Sequence, residues 1–155
     1  MPPSIDARLS ELGITLPEVA APAANYVPWV RSGQLVFLTG QLSQWNGERR
    51  FIGKLGREFG VEEGQAAARL CALNLIAHAR DAADGDLDRI SRIVRVAGFV
   101  NSMPDFVQQS QVLNGASDLF VDVFGDAGRH TRMAVGVAVL PYDVAVEVEA
   151  AFELR

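Results

Sequence analysis

The stretch Arg132–Ala150, RMAVGVAVLPYDVAVEVEA, decides how the rest of the chain is read. It opens on a guanidinium, runs through small and β-branched residues to Pro141, turns at Pro141-Tyr142-Asp143 and resumes in strict alternation. In the second half Val144, Val146, Val148 and Ala150 share one face of an extended chain, and Ala145, Glu147 and Glu149 share the other. Two strands joined by a proline turn are the local expectation. Paired as an antiparallel hairpin, residues whose numbers sum to about 284 face each other, which leaves Arg132 about five residues beyond the partner of Glu147. The glutamate pair reads as a solvated face unless a cation comes near it. Arg132, at the mouth of an apolar strand, carries a planar fork suited to a carboxylate, and a salt bridge within the chain is the plainer use of it.

Working outward, MPDFVQQSQVLNGASDLFVDVFG (residues 103–125) opens on Pro-Asp and then spaces Phe106, Leu113, Leu119 and Phe120 as a helix does. Before it, SRIVRVAGFV alternates as a strand, and VEEGQAAARLCALNLIAHARDAA, from Val61 to Ala83, is a long alanine-rich helix with Leu70, Leu73, Ile76 and Ala77 on one stripe. Asn46-Gly47 marks a hairpin-type turn, and Leu35–Thr39 a β-rich run closed by Gly40. Pro17, Pro22 and Pro28 keep the preceding segment extended. Ile5, Leu9 and Leu12 behind Ser4, stopped by Gly13, predict a short leading helix. Helix, strands, helix, strand, helix and two strands make an α+β domain with helices packed on one sheet face. All 155 residues are expected in one domain, with residues 1–23 an N-terminal extension that holds the short helix.

Apolar residues make up 49% of the chain and charged ones 21%, a globular composition. A net charge of −5 with no run of lysines or arginines argues against phosphate-backbone binding, so no nucleic-acid partner is expected. No apolar stretch approaches the roughly 20 residues of a membrane span, and no apolar signal core is present, which predicts a cytoplasmic protein. Cys71 stands alone and reads as a small buried hydrophobe. His78 sits on the long helix in solvent or core contact, and His130 reads as an exposed loop histidine, with a base as the alternative. No metal-ligand spacing or phosphate loop is present.

Three motifs, Thr39-Gly40-Gln41, Arg132-x-Ala-Val-Gly-Val-Ala-x-Leu-Pro141 and Val146-Glu-Val-Glu-Ala150, together resemble the RidA (YjgF) family of imine and enamine deaminases, formerly called L-PSP endoribonucleases. The resemblance covers residues 24–154 and implies a chorismate-mutase-like α+β fold in a homotrimer with ligand clefts between subunits. By the same resemblance Arg132 is the carboxylate-binding arginine and Glu147 the cleft glutamate. Tyr26 matches the aromatic residue before the first strand, Thr39 the hydroxyl residue before the glycine and Asn114 the helix asparagine. Gly40 and Ala134 contribute pocket wall. The longer N-terminus, the longer approach to Asn114, Ala134 where several members have cysteine, and Gly136 in place of a frequent acidic residue set the chain in a separate subgroup.

The activity implied by this resemblance is hydrolysis of a small 2-imino or 2-enamino acid to a 2-keto acid and ammonia, with no cofactor or metal. The substrate is a small carboxylate held by Arg132, and a water held by Glu147 or a backbone carbonyl attacks the imine carbon. A noncatalytic trimer that binds a small carboxylate or a protein partner would need the same fork. A ribonuclease reading, inherited from the older family label, has the acidic charge balance against it.

Overall fold

The computed structural model describes residues 3–20 and 24–155. Helix α1, Ile5–Glu11, starts where the Ser4 hydroxyl accepts the Ala7 N–H at 3.1 Å, as the leading motif predicts. Strands β1 (Trp29–Ser32) and β2 (Leu35–Leu42) form a hairpin. The short strands β3 (Gln44–Trp45) and β4 (Glu48–Arg49) form a second one, whose turn residues Asn46 and Gly47 both take positive φ, 49° and 83°. Two positive φ values match the twist of the flanking strands, which is why Asn-Gly stands there.

Helix α2, Val61–Ala82, buries the stripe that runs through Ala68, Cys71, Ala72, Leu75, Ile76 and Ala79. Strand β5 (Ile90–Asn101), helix α3 (Gln109–Phe124), strand β6 (Thr131–Val137) and strand β7 (Val146–Leu154) complete the chain. The α3 helix begins later than Pro104-Asp105 suggests. Met103 N–H is committed to the Leu55 carbonyl at 3.0 Å and Phe106 N–H closes a turn onto Met103, so the Pro-Asp segment is pinned outside the helix.

The five-stranded sheet has the order β1-β2-β7-β5-β6. The expected β6–β7 hairpin does not form: β5 lies between the two, pairing antiparallel with β7 and parallel with β6, from Arg95↔Thr131 to Asn101↔Val137. Helix α3 is the crossover that a parallel β5–β6 pair requires. Burial explains the swap of places. Val146 and Val148 are fully covered, which suits a central strand, whereas Arg132, Met133, Val135 and Gly136 are exposed, which suits an edge. Residues 138–145 therefore bridge across the end of β5 instead of turning tightly. Asn101, fully buried, fastens that bridge: its Nδ2 donates to Asp143 Oδ1 at 2.8 Å and to the Val144 carbonyl at 3.1 Å, while Lys54 Nζ donates to its Oδ1 at 2.6 Å.

Both long helices cover one face of the sheet, an α+β arrangement, with Val96, Val100, Val148, Phe152, Leu113 and Phe120 between the layers. Close approach there depends on Gly98, because a β-carbon on it would lie 2.2 Å from Leu113 Cδ1. The opposite face carries no helix among the described residues and leaves Val30, Phe37, Met133 and Val135 exposed around Arg95 and Glu149. No helix among the described residues is long and apolar enough to cross a membrane.

Candidate functional site

Pairing of Arg132 with Val96, a core residue, turns the Arg132 side chain toward the helix layer, over α3. Asn114 and Ser117, three residues apart, lie on the same side of α3. Arg132 Nη1 donates to Asn114 Oδ1 at 2.8 Å and to Ser117 Oγ at 3.2 Å. Those two bonds use both protons of one terminal nitrogen, leaving Nε and Nη2 as a free side-on edge. Among the described residues the ion pairs engage Arg8, Arg50, Arg57, Arg80, Arg89 and Arg129, so Arg132 makes no intrachain salt bridge. Ala134, next on the same face, packs half-buried against the core.

His130 is not an exposed loop residue. Its Nδ1 lies 2.6 Å from the Gly128 carbonyl, its Nε2 2.9 Å from Ser117 Oγ, and its ring stands edge-on to Phe120 at 5.7 Å. Burial pushes its pKa below the ordinary histidine value, with Arg132 adding to that push against the Gly128 carbonyl, and the ring is neutral at neutral pH.

A second group forms around an irregularity in β2, where the register with β7 shifts between Leu38 and Gln41. Thr39 sits there, and its hydroxyl donates to the Val27 carbonyl at 2.6 Å, tying β2 to the segment that carries the exposed Tyr26. The Thr39 proton is thereby used, and its hydroxyl faces the site only as an acceptor. Gly40 follows. The Glu147 carboxylate lies across it so closely that a β-carbon on residue 40 would be 2.6 Å from Glu147 Oε2. Glu147 is half-buried, and that burial raises its pKa, with the charge of Glu149 raising it further. Tyr26, Thr39 and Gly40 also line a cavity of about 530 Å³ that reaches Arg49, His78 and Tyr142. His78 is buried, and its pKa is lowered by that burial.

The chain thus brings Arg132, Asn114 and Ala134 together, and separately Tyr26, Thr39, Gly40 and Glu147. It does not join the two groups. Glu147 pairs with Phe99 on the open face of the sheet, whereas Arg132 pairs with Val96 on the helix-covered face. Sequence reasoning missed Ser117, for which the one available signal was its three-residue spacing from Asn114, and read His130 as an exposed loop residue or a base, not as the partner of Ser117. Cys71 is fully buried beneath β7, its thiol 3.4 Å from the Val146 carbonyl and pushed well above its ordinary pKa by burial, with the charge of Glu147 adding to that push. Among the described residues no group of three or more histidine, cysteine or acidic side chains is placed to hold a metal ion.

The family model described as "YjgF/chorismate_mutase-like, putative endoribonuclease" matches residues 6–154. Protein TCP17 of Trypanosoma cruzi is 52% identical over 152 residues, which covers 97% of this chain and 94% of that protein. The crystal structure of a "putative endoribonuclease" from Shewanella oneidensis MR-1 superposes with a TM-score of 0.94 at 38% identity, covering 98% of this chain and 100% of the other. RidA from the Antarctic bacterium Psychrobacter sp. PAMC 21119 superposes with a TM-score of 0.59 at 25% identity, covering 86% and 92%. In shape the chain is nearer to the Shewanella protein than to that RidA.

Proposed function

The chain belongs to the YjgF/chorismate-mutase-like family, and on that premise we propose that it hydrolyses small 2-imino or 2-enamino acids to 2-keto acids and ammonia. One observation carries the reading: an arginine locked through Nη1 to Asn114 and Ser117 offers its Nε–Nη2 edge, with no carboxylate partner among the described residues. That edge is the donor pair a substrate carboxylate accepts side-on. With the carboxylate fixed there, the adjacent imine carbon is held in one orientation, which is most of what an intrinsically easy hydrolysis requires.

Glu147 supplies the proton handling. A carboxyl group with a raised pKa is a stronger base than an ordinary one, so Glu147 accepts a proton from the attacking water. The new C–O bond forms at the imine carbon. Return of that proton to nitrogen gives the carbinolamine. Transfer of its hydroxyl proton to the amine through Glu147 then forms the carbonyl as the C–N bond breaks and ammonia leaves. Thr39 and Tyr26 shape the wall opposite, and Gly40 and Ala134 leave room for the substrate.

Because the Arg132 group and the Glu147 group point to opposite faces within one chain, this chemistry needs a second copy to bring them together. We place it in a homotrimer whose interfaces also cover the exposed Val30, Phe37, Met133 and Val135. Sedimentation equilibrium at micromolar concentration is expected to give three times 16.7 kDa, and a stable monomer would contradict the shared cleft. The activity is tested by ammonia release from 2-imino acids freshly generated by an amino-acid oxidase, measured against the spontaneous rate. Acceleration supports the deaminase. No acceleration, with 2-keto acids still bound, would make the chain a noncatalytic carboxylate binder.

A further inference from the structure

We propose that His130 and Ser117 are positioning residues for Arg132: a one-way hydrogen-bond chain from the Gly128 carbonyl through His130 and Ser117 fixes which guanidinium edge meets a carboxylate ligand. The inference rests on the reading of Arg132 as the carboxylate holder, and adds two residues outside the motifs that suggested it.

The direction of each bond comes from what each atom can do. A main-chain carbonyl only accepts, so the 2.6 Å contact between Gly128 O and His130 Nδ1 requires the proton on Nδ1. In a neutral ring Nε2 is then bare. The 2.9 Å contact between Nε2 and Ser117 Oγ is therefore donated by the serine hydroxyl. Its single proton being used, Ser117 Oγ is left as an acceptor, and Arg132 Nη1 donates to it at 3.2 Å. Asn114 Oδ1 takes the other Nη1 proton at 2.8 Å. With Nη1 saturated, rotation of the guanidinium is blocked, and Nε and Nη2 form the outward pair.

Each link is also anchored from outside. Gly128 packs against α3 so tightly that a β-carbon would lie 2.2 Å from the Phe120 carbonyl oxygen, so the backbone that starts the chain cannot drift. The ring of His130 is held edge-on by Phe120. Without the histidine acceptor, the serine hydroxyl is free to turn its proton toward the guanidinium, and the second bond to Nη1 is lost.

The test uses the full-length protein and two readouts. Long-range proton–nitrogen NMR of the histidines at pH 8 is expected to show His130 protonated on Nδ1 and bare on Nε2, and the Nε2 resonance must move in Ser117→Ala. An Nε2–H ring, or an Nε2 signal indifferent to Ser117→Ala, overturns the chain. The second readout is the Kd for 2-oxobutanoate, a stable 2-keto acid. Ser117→Ala and His130→Leu are each expected to weaken it by about 3- to 10-fold, the worth of one hydrogen bond. The double variant should be no weaker than either single one, since both break the same link. His130→Gln, whose Oε1 can accept the serine proton, should recover most of the loss. Additive losses, or a lowered thermal midpoint with an unchanged Kd, would make His130 a packing residue only. If the unmutated protein fails to bind 2-oxobutanoate, the carboxylate reading of Arg132 falls, while the hydrogen-bond chain is still decided by the nitrogen spectra.

Discussion

Gly40→Ala tests how much the position of a single carboxylate matters. A methyl group at residue 40 would lie 2.6 Å from Glu147 Oε2, 3.3 Å from Cδ and 3.4 Å from Cγ, whereas ordinary contact begins at 3.4 Å. The carboxylate must retreat by about 0.8 Å, the difference between the first and last of these distances. Such a retreat costs the fold little, because the displaced group is the free end of a flexible side chain. Gly40 lies outside the left-handed region, so alanine fits its backbone, and fewer unfolded conformations contribute about 0.4–1 kcal/mol in its favour. Catalysis is affected differently. A misplacement of about 1 Å can cost on the order of 100-fold, so kcat/KM for imine hydrolysis should fall by roughly 10- to 100-fold. The thermal midpoint, followed by circular dichroism, should stay level or rise. Adding Glu147→Asp to this background draws the carboxylate back by one methylene and should recover part of the loss. Wild-type kcat/KM in Gly40→Ala would refute the role of Glu147 as the base.

Arg132→Lys keeps the charge but has a single nitrogen, which cannot hold Asn114 and Ser117 while offering a side-on pair. Turnover should drop by about 100-fold with the thermal midpoint unchanged, and wild-type turnover would remove Arg132 from the chemistry. Folded Glu147 keeps its proton to higher pH than it does in the unfolded chain, so its contribution to stability is present below the unfolded value of about 4.3 and is lost as pH rises through the folded value. Glu147→Gln should therefore raise the thermal midpoint at pH 8, with the gain vanishing on acidification; an equal gain at pH 4 and pH 8 would contradict the assignment. Gly98→Ala forces its methyl into Leu113 and should lower urea stability by about 1–3 kcal/mol at unchanged m-value. Cys71, buried and held protonated, should resist alkylation in the native protein, react in urea and tolerate replacement by alanine without loss of turnover.

The sequence disclosed local structure best. The Ser4 cap, the Asn46-Gly47 turn and the long helix α2 each carry their cause within a few residues and form where expected. The buried face of α2 is nevertheless centred on Ala68, Cys71, Ala72, Leu75 and Ala79, and Leu70 and Ala77 of the expected stripe are only partly buried. Strand pairing was not legible, because the Pro141-Tyr142-Asp143 turn resembles a hairpin connection until the full burial of Val146 and Val148 in β7 is weighed against the exposure of β6. Tyr142 and Asp143 both take φ of 59°, a conformation dictated by the span across β5 and by Asn101, not by their own types. At the site, the contact of Arg132 with Asn114 was suggested by family resemblance alone. The meeting of Ser117 with His130 escaped notice since it depends on the parallel register of β5 with β6, which no periodicity encodes.

The place of β7 has a consequence for how the protein is made. Val146–Leu154 comes after every other strand in sequence, yet it joins β2 to β5 in the middle of the sheet. As the chain leaves the ribosome, β1–β2 and β5–β6 can form only as two unconnected ribbons, each with an open inner edge. The nascent chain must keep those edges apart from each other and from neighbouring chains until its final strand arrives. A translational pause or a stop codon before residue 146 would thus release not a smaller version of the fold but two adhesive half-sheets, a natural substrate for chaperones and proteases.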